Sequence, residues 1–176
     1  MKYFILVVFC ALLGHYLVSG DGEDDVKKEC DEIGERALAV DDAINVTLRY
    51  LRAPEEYKDV VAACQEVVHC AAKMPSPDKE KFLEKFEMCD FYKFYNGRFA
   101  ECATELIAKK DDNISCLNTL FNDLYEPEVN ECNQWDGLQT CIKEQIENVC
   151  GEKSDDWVKH SKVYREIICE QEANQE

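Results

Sequence analysis

Apolar residues recur along this chain at intervals of three and four positions, which is the spacing of one face of an α-helix. The clearest run predicts a first helix over about residues 25–51, and its apolar stripe consists of Ile33, Ala37, Val40, Ile44, Leu48 and Leu51. Segments that alternate between apolar and polar residues, as half-buried strands do, are scarce. The pattern therefore predicts an all-α protein.

Proline, glycine and short polar runs divide the rest of the chain into further helices. Pro54 suits the first turn of a second helix that reaches about residue 73, and the MPSP turn at 74–77 opens a third. Gly97 ends the third helix, and Gly151 separates the last two. Later helices are expected over about residues 98–109, 113–124, 135–150 and from 154 onward, with a loop at 126–133. This pattern predicts a single, disulfide-stapled domain of about six to seven helices.

The first twenty residues have the layout of a secretory signal peptide. Lys2 supplies a short basic start, residues 3–18 are almost wholly apolar, and the small residue Gly20 precedes an acidic run. This arrangement is typical of cleavage near Gly20, and a membrane anchor is the alternative for the same stretch. We therefore expect residues 1–20 to be a signal peptide. Residues 21–176 are then expected to form one secreted, extracellular domain with no membrane span.

Ten cysteines follow the predicted signal peptide, and their even number predicts five disulfides in an oxidising compartment. They are Cys30, Cys64, Cys70, Cys89, Cys102, Cys116, Cys132, Cys141, Cys150 and Cys169. A zinc site is disfavoured because no C-x2-C pair occurs. The pairing stays open, but a helix turns about 100° per residue. On one helix, Cys141 and Cys150 would lie on opposite faces and must bond different partners. By the same argument, Cys64 and Cys70 cannot bond to each other if they lie on one helix.

The charge of the chain restricts its partners. It carries 20 basic and 37 acidic residues, for a formal net charge of −17. Nucleic-acid phosphates and anionic lipid surfaces repel such a chain, so nucleic acid is not expected as a partner. Basic proteins and metal cations stay open. The simplest role of the charge is to keep a secreted protein in solution.

Five aromatic residues lie between Cys89 and Cys102: Phe91, Tyr92, Phe94, Tyr95 and Phe99. Phe91, Tyr92, Phe94 and Tyr95 point in several directions around the predicted third helix, and a helix that is apolar on many sides is usually central. We therefore expect core rings whose tyrosine hydroxyls bond to polar partners. The alternatives are an exposed contact face and a cavity for a small apolar ligand, lined by Phe91, Tyr92, Phe94 and Tyr95. Lys93 is expected to reach solvent through its long stem.

The sequence carries no recognisable catalytic or cofactor-binding motif. His69 and His160 follow the predicted signal peptide, and neither has a metal-site partner at helical spacing. A nucleophile elbow, a phosphate loop and a dinucleotide fingerprint are all missing. With every cysteine paired, no thiol nucleophile remains. We expect no enzyme activity, no catalytic residue, no metal and no cofactor.

Two sequons fit N-linked glycosylation of a secreted chain. They are NVT at Asn45 and NIS at Asn113. Asn45 follows the stripe residue Ile44, so it is expected to point away from the buried face of the first helix. Asn113 lies at a predicted helix start.

The cysteine framework from Cys89 onward resembles that of a nematode family, the secreted, cysteine-rich domain of unknown function numbered nineteen in family catalogues. The resemblance is strongest in the segments NGRFAECATEL and TCIKEQIENVCG, and it covers about residues 30–169. It implies secretion, helices and disulfides, and it supplies no catalytic residue. The C-x8-C spacing of Cys141 and Cys150 also weakly resembles insect odorant-binding proteins, whose C-x3-C pair is missing here.

These features predict a secreted, non-enzymatic binding or interaction protein whose extracellular partner or ligand is unidentified. The alternative is a carrier of a small apolar ligand in an aromatic-lined cavity, and a hydrolase that uses surface carboxylates is a third class. A cavity among the rings would favour the carrier, and a filled core with an exposed apolar patch would favour protein binding. A buried carboxylate pair in a cleft would favour the enzyme.

Overall fold

The structure is a computed structural model that describes residues 21–45, 50–110, 114–122, 131–151 and 153–173. Within these ranges the chain forms eight α-helices and no strand, so the all-α class is confirmed. The helices are α1 (Asp21–Asn45), α2 (Lys58–Ala71), α3 (Ser76–Leu83), α4 (Met88–Asn96), α5 (Ala100–Ala108), α6 (Ser115–Asn122), α7 (Glu131–Cys150) and α8 (Ser154–Ala173). Short 3₁₀ turns at Pro54–Tyr57 and Glu84–Phe86 precede α2 and α4.

The predicted third helix is in fact two helices. This division explains why the described residues form eight α-helices, whereas the sequence predicted six to seven. Its first part, α3, ends at Leu83, and α4 begins at Met88 after the 3₁₀ turn. Phe82 lies before this break and Phe86 is the last residue of its 3₁₀ turn, and their ring centroids are 5.0 Å apart. The tighter turn rotates the residues that follow it relative to the face of α3. The aromatic rings before and after the turn lie in different parts of the core.

The first helix begins earlier than the predicted residue 25, at Asp21, and the helix predicted over 135–150 also begins earlier. α1 ends at Asn45, and Leu51, the last residue of the predicted stripe, is buried outside any helix. The Leu51 N–H donates to the Leu120 carbonyl at 2.8 Å, which ties this connection to α6. α7 begins at Glu131, so the end of the predicted loop is helical.

Both glycines that were predicted to end helices do so. Gly97 follows α4, where a Cβ would lie 2.6 Å from the carbonyl oxygen of Lys93. Gly151 follows α7 with a φ of 73°, a left-handed conformation that glycine adopts at little cost.

Five disulfides pair the ten cysteines and link the helices. They are Cys30–Cys70, Cys64–Cys89, Cys102–Cys150, Cys116–Cys141 and Cys132–Cys169. As the helix geometry predicted, Cys141 and Cys150 bond different partners, and so do Cys64 and Cys70. Two disulfides therefore hold α2. Cys70, near the end of α2, bonds to α1, and Cys64, near the middle of α2, bonds to α4.

The buried side chains form two core clusters. The larger one includes both tryptophans, Trp135 and Trp157, with residues from α4 to α8. The smaller one lies between α1, α2 and α3 and includes Phe86. Cys89 packs against both clusters, so its disulfide with Cys64 lies where the two meet.

Gly34 allows Phe86 to pack closely against α1. A Cβ at Gly34 would lie 2.7 Å from the Cζ of Phe86, whereas a Cβ at Gly137 in α7 would meet nothing within 4 Å. Alanine in a helix interior is more favourable than glycine by roughly 1 kcal/mol, and overpacking costs roughly 1–3 kcal/mol. We therefore expect Gly137→Ala to raise the free energy of unfolding by up to about 1 kcal/mol and Gly34→Ala to lower it by about 1 kcal/mol. Urea denaturation followed by circular dichroism measures both, and equal stabilisation would contradict the close packing of Phe86.

Two predicted features lie outside the described residues. They are the signal peptide at 1–20 and the glycosylation site at Asn113. Asn45 is the last residue of α1, and the other two positions of its sequon, Val46 and Thr47, also lie outside the described ranges. Secretion and both glycosylation sites therefore stay predictions. None of the helices described here combines the length and the apolar character that crossing a bilayer requires.

Candidate functional site

The aromatic stretch after Cys89 is confirmed as core. Phe91, Tyr92, Phe94 and Tyr95 are all buried on α4. The Phe91 ring stacks on Tyr95 and on Tyr164, with ring centroids 5.6 and 5.2 Å apart. Lys93, in the same helix, is exposed as predicted. The rings pack on one another, so a ligand among them would have to displace a neighbouring ring.

The buried tyrosine hydroxyls have the polar partners that were expected. Tyr95 donates to the carbonyl oxygen of Arg52 at 2.8 Å, and the Arg52 N–H donates to the hydroxyl oxygen of Tyr57 at 3.2 Å. The Tyr92 hydroxyl donates to the Asp41 carboxylate. Burial raises the pKa of Tyr57 to about 12 and the pKa of Tyr95 well above its ordinary value. Both phenols are therefore neutral at physiological pH, and they hold the chain around Arg52 against α4.

His160 lies at the surface where α4 meets α8. Its ring stacks on Phe94 with centroids 4.5 Å apart, and Arg98 donates to its Nε2 at 2.8 Å. Arg98 also pairs with Asp156 at 3.1 Å. Desolvation, followed by the Arg98 charge, lowers the pKa of His160. Because a guanidinium only donates, His160 accepts as a neutral imidazole. In the part of the chain that the structure covers, no group of His, Cys, Asp or Glu side chains is placed to hold a metal ion.

An apolar groove lies between α2 and the segment that joins α3 to α4. Its volume is about 670 Å³. Its apolar lining consists of the Cys64–Cys89 disulfide, Leu83 and Phe86, with Val61 and Val68 from α2 and Ala72 directly after α2. We call it the bridge groove, after its disulfide. Since Cys64 and Phe86 are buried, they form its base.

Polar side chains form the rim of the bridge groove. They are Gln65, His69, Glu87, Asp90 and Lys93, and all five are exposed. An apolar base inside a polar rim is the arrangement found at protein interfaces and at ligand sites. The groove can therefore take an apolar group at its centre and polar or charged groups along its edges.

Val68 leaves apolar surface uncovered inside this groove. It is 53% exposed, although the preceding residue, Val67, is fully buried. Single exposed apolar residues are ordinary in folded proteins. Val68 differs because Val61, Ala72 and Leu83 line the same groove, which makes the apolar surface continuous.

A smaller groove of about 190 Å³ lies on the α1 side of the same disulfide. It shares Cys64, Phe86 and Cys89 with the bridge groove, and it is also lined by Tyr92 and by Leu38, which is 43% exposed. The four residues predicted to line a ligand cavity are thus core rings, one of which reaches this groove. The carrier hypothesis stays a prediction.

The sequence analysis missed the residues that form the bridge groove. The signal was available in α2, where valine pairs recur seven residues apart at 60–61 and 67–68. Seven residues are close to two helical turns, so the pairs lie above one another on the helix. In each pair the first valine is buried, whereas Val61 and Val68 line the groove. Two adjacent valines in each turn give α2 an apolar face that is wider than contact with the core requires. The part of that face that the core does not cover is the wall of the bridge groove.

Comparison with known proteins identifies one family. The model of the family described as "Domain of unknown function (DUF19)" matches residues 23–170, which is most of the chain. A search of curated proteins found no match. A search of solved structures found none either.

Proposed function

We propose that this chain, which belongs to the DUF19 family, is a secreted, non-enzymatic binding protein and that the bridge groove is its binding surface. The observation that carries the proposal is the continuous apolar surface around Val68, which lies outside a core already filled by aromatic rings. Covering that surface would be favourable by roughly 25 cal/mol per Å² removed from water. A ligand that entered the aromatic core would gain less free energy, because it would first have to displace a packed ring.

The disulfides support a binding role because they fix both sides of the groove. Cys64–Cys89 joins α2 to α4 beneath the groove, and Cys30–Cys70 joins the end of α2 to α1. A groove that is already rigid loses little conformational entropy when it is occupied. The walls are thus held in place before a ligand arrives.

Secretion is supported by the disulfides and by the sequence before α1. Five disulfides in one chain are typical of an oxidising compartment outside the cytosol. Residues 1–20 have the basic start, apolar run and small-residue end of a signal peptide. We therefore propose that the protein meets its ligand in the extracellular space.

Titration with an apolar fluorescent dye tests the binding surface. We expect the dye to bind the wild type and Val68→Asp to weaken that binding roughly tenfold, since a carboxylate would replace the exposed methyl groups. Val158→Asp is the matched control, because Val158 is also about half exposed, at 46%, but lies on α8 away from the groove. Equal losses in the two variants, or no dye binding to the wild type, would contradict the proposal.

A carrier of a small apolar ligand is the second candidate, and the smaller groove at Tyr92 favours it. The same dye separates the two, because Leu38 lines the smaller groove but not the bridge groove. If Leu38→Asp abolishes dye binding and Val68→Asp does not, the carrier is the better description. If Val68→Asp abolishes dye binding and Leu38→Asp does not, the dye binds in the bridge groove.

A further inference from the structure

Resting on the proposed function, we infer that the occupant of the bridge groove is an α-helix of a partner protein, apolar along one face and basic on its flanks. The inference names the chemistry of the partner from three properties of the groove. These are the spacing of its α2 wall, the exposure of its rim residues and the charge of that rim.

The α2 wall has the spacing of a helix-packing face. Val61, Gln65, Val68 and Ala72 line the groove at steps of four, three and four residues. This stripe covers about 16 Å along α2, because each residue of a helix rises about 1.5 Å. The opposite wall comes from Leu83 and the first turns of α4. Two such walls leave a trough in which a third helix of about three turns can place its apolar side chains.

The exposure of the groove favours a helix over a small molecule. Gln65, Val68, His69 and Ala72 are exposed along its α2 wall, and Lys93 is exposed on the α4 side. Small-molecule sites usually bury roughly 70–90% of their ligand. A ligand lying in this trough would keep one side in water, whereas a helix has a polar side that can remain there.

The charge beside the groove favours basic flanks. α1, which packs against α2 outside the groove, carries ten acidic and three basic residues and makes this part of the molecule acidic. On the α4 side of the rim, the exposed carboxylates of Glu87 and Asp90 outnumber the single ammonium group of Lys93. A second copy of this chain would bring the same net charge of −17 and be repelled. A partner with lysine or arginine on its flanks would instead be drawn to the groove.

Two synthetic helical peptides test the inference. Both carry the same leucine face, and one has lysines on the flanking positions while the other has glutamates. Fluorescence anisotropy is expected to show roughly tenfold tighter binding of the lysine peptide. Val68→Asp should weaken that binding roughly tenfold, and Val158→Asp should leave it unchanged.

A second pair of variants tests the charge directly. Glu87→Gln with Asp90→Asn removes two rim carboxylates, and we expect it to reduce the preference for the lysine peptide severalfold and to weaken its salt dependence. Glu101→Gln with Glu105→Gln removes the same charge from exposed positions on α5 and should have a smaller effect.

The outcomes separate this inference from the proposed function. If the dye binds in a Val68-dependent manner but neither peptide does, the proposed function stands and the helical partner is wrong. If both peptides bind equally, the basic flanks are wrong. If neither the dye nor the peptides depend on Val68, the proposed function fails as well.

Discussion

Replacing Phe91 by alanine should lower the free energy of unfolding by roughly 3–5 kcal/mol, the usual cost of removing a buried phenylalanine ring. Phe91 is fully buried and contacts the rings of Tyr95, Trp157 and Tyr164 from α4 and α8. These neighbours are themselves packed on one another, so they cannot easily move in to fill the space. Urea denaturation monitored by the fluorescence of Trp135 and Trp157, which lie in the same core cluster as Phe91, measures the loss.

Phe91→Leu is the matched control, because leucine keeps part of the ring volume and leaves a smaller cavity. It should cost clearly less than Phe91→Ala. Phe94→Ala provides a second position, since Phe94 stacks on Phe99 and on His160 near the surface. If the alanine variants lost less than about 1 kcal/mol, the space around α4 would already be open, which would contradict the filled core and favour the carrier.

The core position of the aromatic stretch was predictable because it follows from the distribution of the rings alone. Phe91, Tyr92, Phe94 and Tyr95 form a broad apolar face of α4, with the exposed Asp90 and Lys93 on the other side, and such a face is covered by neighbouring elements. The partners of the tyrosine hydroxyls were not predictable. Arg52 and Asp41 lie 43 and 51 residues before the tyrosines that contact them. Only the packing of α1 and the following connection against α4 brings those groups together.

The break between α3 and α4 was not predictable because the sequence there lacks a helix-breaking residue. Residues 84–87 read EKFE, without glycine or proline. The structure shows what competes with the helical pattern: Phe82 and Phe86 both pack in the smaller cluster, next to Gly34. Tertiary packing thus overrides local propensity at this point.

The bridge groove was not anticipated because its two walls come from elements that are distant in the sequence. Leu83, Phe86 and Cys89 follow one another at steps of three residues, which places them on one side of a helix, but only tertiary packing brings that side opposite α2. The disulfide pairing was open for a related reason. Helix geometry excluded bonds between Cys64 and Cys70, but the choice of Cys89 as a partner is made by the packing of α4 on α2.

The Cys102–Cys150 disulfide should contribute most to stability among the five, because it closes the longest loop. Its cysteines are 48 residues apart, compared with 25 for Cys64–Cys89. If the bond acts by limiting the unfolded chain, replacing both Cys102 and Cys150 with alanine should cost about 4 kcal/mol, and replacing Cys64 and Cys89 about 3.5 kcal/mol. Denaturation of the two double variants under the same conditions measures the difference.

The two double variants should also differ in binding, and that difference is larger than the difference in stability. Cys64–Cys89 forms the base of the bridge groove, whereas Cys102–Cys150 joins α5 to the end of α7 and does not line it. We expect the variant without Cys64–Cys89 to lose most of its dye affinity at temperatures where it is still folded, because α2 and α4 are no longer held together beneath the groove. The variant without Cys102–Cys150 should be at least as unstable but should bind the dye like the wild type until it unfolds. If dye affinity followed stability in both variants, the groove would not be the binding surface.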